Sequence, residues 1–168
     1  MIVDRCEECG YDYDLAAATT AADDIRAGVA ELAGLLTATA PRRLAQRTAP
    51  QRWSPLEYSC HVRDVLLTQR ERVLLARRVD VPSVVPMGRD ERLAHEGYAE
   101  QEPAEVAEEL TMAARLLANV LHRLDTPDWE LRLIYNWPQH TERTLRWVAA
   151  NTLHDVRHHL MDVHRQLD

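Results

Sequence analysis

The sequence contains no lysine and no phenylalanine, and only 3 of its 168 residues are cysteine. Without lysine, all 20 basic residues are arginines, scattered among 27 acidic residues in a chain of net charge −7. The continuous basic stripe typical of proteins that follow a phosphate backbone is therefore missing, and we expect no nucleic-acid partner. Long apolar runs are also missing. A membrane span needs about 18 consecutive apolar residues, so we expect no membrane insertion.

Length and composition are typical of one soluble globular domain over residues 1–168, which can bury a core without disulfides. The first residues do not form the positively charged and small-residue elements of a signal peptide. We therefore expect a cytoplasmic protein whose cysteines stay reduced. Residues 1–13, which include Cys6 and Cys9, precede the first helical pattern and are predicted to be an N-terminal tail.

Apolar residues spaced three and four positions apart predict four long amphipathic helices. The start of the second is marked most clearly, because Ser54 is a good N-cap, Pro55 suits the first helical position and Glu57 completes a capping box. The predicted helices run from Leu15 to Pro41, from Pro55 to about Val79, from Pro103 to Leu124, and from about Thr141 to the C-terminus.

The segments between these helices show little of the apolar and polar alternation that predicts a strand. Residues 80–102 form a long polar loop between helices two and three, a candidate to cover a pocket. Residues 131–136 are predicted to be a short extended piece, and no segment predicts a convincing sheet. The fold class predicted from the sequence is therefore all-α, a four-helix bundle.

Helix geometry predicts which histidines face the interior. The apolar stripe of the last helix is centred near Val156, which places Asp155 and His159 on its shoulder and His154 and His158 on the opposite side. Asp155 and His159 are four residues apart, so their side chains lie one turn apart on one face. With His61 on the shoulder of helix two, they predict a metal site with three protein ligands.

These residues resemble a known family. Trp53 followed by His61 and Asp64 resembles the helix-two signature of the DinB-like superfamily, which includes bacillithiol and mycothiol S-transferases and mycothiol-dependent maleylpyruvate isomerase. In that family a His of helix two and an H-x-x-x-H or E-x-x-x-H pair of the last helix hold a divalent metal. Two registers fit here, Asp155 with His159 or His154 with His158. We favour the first, because it keeps a polar residue at Asp162, although Asp replaces Glu.

The resemblance implies a divalent metal, zinc or nickel, and a low-molecular-weight thiol of the mycothiol type as cosubstrate. The thiol is activated at the metal and conjugates or isomerises a small electrophile. Asp64 and Asp162 are expected to orient the imidazoles by hydrogen bonds. Arg89, Tyr98 and Trp137 are candidates for the substrate pocket.

Cys6-Glu7-Glu8-Cys9 is a second signal, open to three interpretations. The two residues can be reduced thiols in a tail, a redox pair, or thiolates that fold over the bundle and complete or occlude the metal site. The second cysteine pair expected of a zinc ribbon is missing from the sequence. Cys60 is predicted to be a packing residue.

Two other functions remain open. A metal-dependent hydrolase would use the same ion, but no base or oxyanion group for it is evident in the sequence. A non-catalytic metal-binding module would form a homodimer through a helix-four patch. The residues of that patch are Trp147, His154, His158 and Met161.

Overall fold

The computed structural model describes residues 5–136 and 139–168. Its helices are α1 (Ala21–Ala38), α2 (Pro41–Leu44), α3 (Pro55–Ala76), α4 (Arg89–His95), α5 (Pro103–Leu121) and α6 (Leu145–Leu167). Its strands are β1 (Ser83–Val84), β2 (Arg132–Asn136) and β3 (His140–Thr144). The four long helices α1, α3, α5 and α6 form a bundle, which confirms the predicted fold class.

The order of helices around the bundle is not the order along the chain. Helix α1 packs against α5 and α6, and α3 packs against the same two helices, so α1 and α3 lie diagonally opposite each other. Their inward side chains form one continuous core that includes Ile25, Leu66, Leu110 and Val156. The arrangement brings α3 beside α6, the two helices that carry the predicted metal ligands.

The predicted start of α3 is confirmed in detail. The backbone N–H of Glu57 donates to Oγ of Ser54 at 3.3 Å, and the N–H of Ser54 donates to Oε2 of Glu57 at 2.7 Å. Arg47 also donates to this carboxylate, through Nε at 2.7 Å. Burial alone would raise the pKa of Glu57, but its hydrogen bonds from Arg47 and Ser54 outweigh burial and hold the pKa below its ordinary value.

A small three-stranded sheet corrects the expectation of no sheet. Strand β2 pairs in parallel with β1 and antiparallel with β3. The strands are two to five residues long, and β3 is entirely polar, so they carry no apolar alternation that the sequence could display. The extended piece predicted at 131–136 corresponds to β2.

The last helix starts later than predicted, because the residues before it belong to the sheet. We predicted that start near Thr141, but residues 140–144 pair with β2 and α6 begins at Leu145. Thr144 is the N-cap, and its hydroxyl accepts from the N–H of Trp147 at 3.3 Å.

The predicted loop 80–102 is more ordered than expected, since it contains β1, α4 and a 3₁₀ turn at Tyr98–Glu100. Across the described residues, no helix is both long and apolar enough to cross a membrane.

Candidate metal centre

His61 lies two turns into α3, and only 7% of the residue is exposed to solvent. Among the described residues, no donor or acceptor reaches its buried Nδ1 atom. Burial, together with the nearby His159, lowers the pKa of His61 to about 4. His61 is therefore neutral at neutral pH and carries an unused buried ring nitrogen, a state suited to a metal ligand.

His159 faces His61 from α6. The centroids of the two rings are 5.0 Å apart, and the rings are nearly perpendicular. Oδ2 of Asp162 lies 3.0 Å from Nδ1 of His159, which favours the tautomer with the proton on Nδ1 and leaves Nε2 free. Asp162 therefore lies where it can orient this imidazole.

Aromatic side chains surround the two histidines. The ring of Trp53 lies 5.2 Å from that of His61, and the ring of Tyr58 stacks on His159 at 5.2 Å. Beyond them, the guanidinium of Arg89 lies 5.8 Å from the ring of Trp53. The two imidazoles are thus bounded by an aromatic wall with a cation at its edge.

Asp155 lies one turn before His159, with its carboxylate turned to other partners. One oxygen accepts from Nδ2 of Asn151 at 3.3 Å, and the other lies 3.5 Å from Nδ1 of His154. In the described part of the chain, the close groups of candidate ligand atoms do not unite Asp155 with His61 and His159. The structure brings the two histidines together and leaves the carboxylate beside them.

The structure gives Asp64 and Tyr98 a different role from the predicted one. Asp64 accepts from Nε of Arg63 at 2.8 Å and from the hydroxyl of Tyr98, and Arg92 lies 3.5 Å away. The carboxylate oxygens of Asp64 thus accept from or pair with these three side chains, and Asp64 does not orient an imidazole. Tyr98 is fully buried and serves to hold the segment around it against α3, so it does not line an open pocket. Trp137 lies outside the described residues.

Cys60 behaves as the packing residue predicted from the sequence. Its side chain is fully buried, and its Sγ lies 3.4 Å from Oε1 of Gln101. Burial raises the pKa of this thiol to about 12. Cys60 is thus protonated at neutral pH and unsuited to act as a nucleophile.

A second cluster joins the N-terminal segment to α6. Cys6, Cys9, His154 and His158 each offer a ligand atom, and these four atoms all lie within 4.8 Å of one another. Burial alone would raise the pKa of Cys6, but hydrogen bonds with the Cys9 backbone and with His154 outweigh it and lower the pKa to about 6. Burial, followed by the influence of Cys6, raises the pKa of Cys9.

The N-terminal segment also covers the helix-four patch that we considered as a dimer interface. Tyr13 stacks on Trp147 with ring centroids 6.4 Å apart, and Tyr11 lies 5.4 Å from His154. The hydroxyl of Tyr13 lies 3.0 Å from Nδ1 of His154. Much of the patch is therefore occupied by the same chain.

The sequence left open that the two thiolates complete the metal site and that His154 and His158 are its ligands, but it did not join the two pairs. C-x-x-C and H-x-x-x-H are the two halves of a Cys₂His₂ zinc site. Here they lie at opposite ends of the chain, at Cys6 and Cys9 and at His154 and His158. The spacing within each pair was visible, but only the fold shows that they meet.

The fold and the paired histidines define a helical-bundle protein with a candidate metal centre between two helices. A family model described as the DinB superfamily matches residues 24–161, and the chain belongs to this superfamily. No curated protein sequence matches the chain.

The fold is similar to that of a solved structure. It is YfiT from Bacillus subtilis, described as a probable metal-dependent hydrolase with an unusual four-helix bundle topology. The TM-score is 0.77 at 11% sequence identity, and the match covers 90% of this chain and 85% of YfiT. At this identity the likeness shows the fold alone.

Proposed function

We propose that this protein is a metal-dependent enzyme that uses a low-molecular-weight thiol of the mycothiol type to conjugate or isomerise a small electrophile. His61 and His159 hold the divalent ion, zinc or nickel, and Asp155 is the third ligand once its carboxylate turns away from Asn151 and His154. The observation that carries the proposal is the buried Nδ1 of His61, which has no partner in the described chain and belongs to a ring 5.0 Å from that of His159.

The side chains around the two rings fit this role. Burial keeps His61 neutral, and Asp162 holds Nδ1 of His159 at 3.0 Å, so both residues have a lone pair available for a metal. Asp155 is one helical turn from His159 and supplies the single negative charge. A divalent ion held here would lower the pKa of an entering thiol and favour its thiolate at neutral pH.

Charge and surroundings favour a thiolate as the bound species. Two neutral imidazoles and one carboxylate leave a divalent ion with one uncompensated positive charge, which attracts an anion. Arg89 adds a second positive charge at the edge of the aromatic wall. Trp53 and Tyr58 offer apolar surface to the electrophile and restrict the access of water.

Hydrolysis by an ion-activated water, the activity suggested in the description of YfiT, has weaker support here. It requires a free carboxylate or imidazole as general base. Asp162 is hydrogen-bonded to His159, and Asp64 is bound by Arg63 and Tyr98. Asp155 is a third nearby carboxylate, and the proposal assigns it to the metal.

Thiol binding tests the proposal in the Cys6→Ser/Cys9→Ser background, where the second cluster cannot contribute thiolates. We expect about one zinc ion per chain there, and calorimetry should detect mycothiol binding only to the zinc-loaded protein. Adding His61→Ala should lower zinc affinity at least about 100-fold and abolish thiol binding. Loss of a residue that only hydrogen-bonds to a ligand costs roughly 10–100-fold in metal affinity, and loss of the ligand itself should cost more.

His122→Ala is the matched control. His122 is a partly exposed histidine at the end of α5 that pairs with Asp23. This variant should keep both zinc and thiol. Zinc retention in His61→Ala would overturn the ligand assignment, and zinc-independent or undetectable thiol binding in every variant would overturn the thiol assignment.

A further inference from the structure

The first nine described residues form a tight turn that presents two cysteines on one side. The N–H of Gly10 donates to the carbonyl of Cys6 at 2.8 Å, and the N–H of Cys6 donates to the carbonyl of Tyr11 at 2.8 Å. Gly10 has φ of +74°, a left-handed conformation that other residues rarely adopt. The turn fixes the spacing of Cys6 and Cys9 before any ion binds.

Opposite this turn, α6 presents two histidines one helical turn apart. His154 contacts Tyr13 through Nδ1 at 3.0 Å, whereas its buried Nε2 has no hydrogen-bond partner in the described chain. His158 directs Nδ1 toward Sγ of Cys6 at 3.7 Å and has Nε2 3.7 Å from Asp162. Each ring therefore has one nitrogen supported by a polar group and the other available to the cluster.

We propose that Cys6, Cys9, His154 and His158 form a structural zinc site that fastens the N-terminal segment to α6. Their ligand atoms already lie within 4.8 Å of one another, and the ligand types are those of a Cys₂His₂ zinc site. Two thiolates neutralise the charge of a zinc ion, which suits a partly buried position. Four protein ligands fill a tetrahedral ion, so this site has no open position for a substrate.

This second site is separate from the centre assigned to the thiol. It uses the face of α6 that carries His154 and His158, whereas His159 faces α3. The two sites are neighbours, because Asp162 lies near both His158 and His159. A test must therefore distinguish ions with sulfur ligands from ions without them.

Cobalt(II) substitution makes this distinction, because a cobalt ion with thiolate ligands has an intense near-ultraviolet charge-transfer absorption. Reduced full-length protein titrated with cobalt should bind about two ions per chain, and the absorption should reach the amplitude of one thiolate-bound ion. Cys6→Ser/Cys9→Ser should abolish it, and His154→Gln should weaken cobalt binding at least about tenfold. His61→Ala and the buried-thiol control Cys60→Ser should keep the absorption, and circular dichroism of each variant should show that the bundle is folded.

Several results of the cobalt titration would overturn the assignment of the four residues to a zinc site. It fails if reduced wild-type protein binds cobalt without thiolate absorption, or if the absorption survives in Cys6→Ser/Cys9→Ser. It also fails if His154→Gln binds cobalt as tightly as the wild type, or if folded Cys60→Ser loses the absorption. A Cys6–Cys9 disulfide that forms and is reduced reversibly, with no cobalt absorption from the reduced protein, would assign the pair to redox chemistry instead.

Discussion

At the scale of single residues, burial and the nearest partners decide what each histidine can do. His61 and His159 face each other from α3 and α6, in agreement with the shoulder positions predicted from the apolar stripes. His154 and His158, predicted on the opposite side of the last helix, are about as buried as His159, because the N-terminal segment covers them. The partners of Asp64 could not be predicted in the same way. Tyr98 is 34 positions from Asp64 in the sequence, and its hydrogen bond exists only because the segment before α5 folds back onto α3.

Glu57 supplies a test of residue-scale electrostatics. The folded protein holds the pKa of Glu57 below its ordinary value, so the unfolded chain binds the proton more readily. Glu57 therefore stabilises the fold at pH values above the ordinary pKa of a glutamate, and this contribution is lost as the pH falls through the carboxylate range. Glu57→Gln should cost about 1–3 kcal/mol at pH 7 and progressively less toward pH 3.

Urea unfolding of metal-free protein over a series of pH values measures this effect. Glu108→Gln, at an exposed position on α5, is the control and should change stability little at any pH. A cost of Glu57→Gln that stays constant from pH 7 to pH 3 would show that the charge of Glu57 does not contribute.

At the scale of elements, the start of α3 was predictable and that of α6 was not. The capping box and Pro55 are local signals, since four consecutive positions, 54–57, contain the whole pattern. Residues 140–144 have no such signal. Their strand conformation comes from pairing with β2. The N-cap of α6 is Thr144, and the polar residues before it suit either a strand or the first turn of a helix.

The packing of α1 on α6 gives a test at this scale. A Cβ atom at Gly28 would lie 2.8 Å from Cγ1 of Val156, which is fully buried on a stiff side chain. Gly28→Ala should destabilise the protein by about 1–3 kcal/mol, because the two helices must separate. In the same helix, a Cβ at Gly34 meets nothing within 4 Å.

Gly34→Ala is therefore the matched control, and it should stabilise the protein by about 0.5–1 kcal/mol through helix propensity. Thermal unfolding of both variants measures the difference. Equal stabilisation by the two substitutions would mean that α1 and α6 do not approach as closely as described.

At the scale of the whole molecule, the decisive contacts join parts of the chain that are far apart in sequence. The α3 to α6 interface builds the centre at His61 and His159, and the N-terminal turn meets α6 at His154 and His158. Sequence patterns supplied the candidates, including both registers of the last helix. They could not show that His159 meets His61 or that His154 and His158 meet Cys6 and Cys9, because these contacts depend on the order of helices around the bundle and on the path of residues 5–13.

X-ray absorption at the zinc edge tests the central claim, a metal centre at His61 and His159 that takes a thiol. The Cys6→Ser/Cys9→Ser variant, loaded with one zinc per chain, should show only nitrogen and oxygen neighbours. With mycothiol added, one sulfur should appear at about 2.3 Å from the zinc. No sulfur neighbour at saturating mycothiol, or the same spectrum in a variant that also contains His61→Ala, would contradict the account.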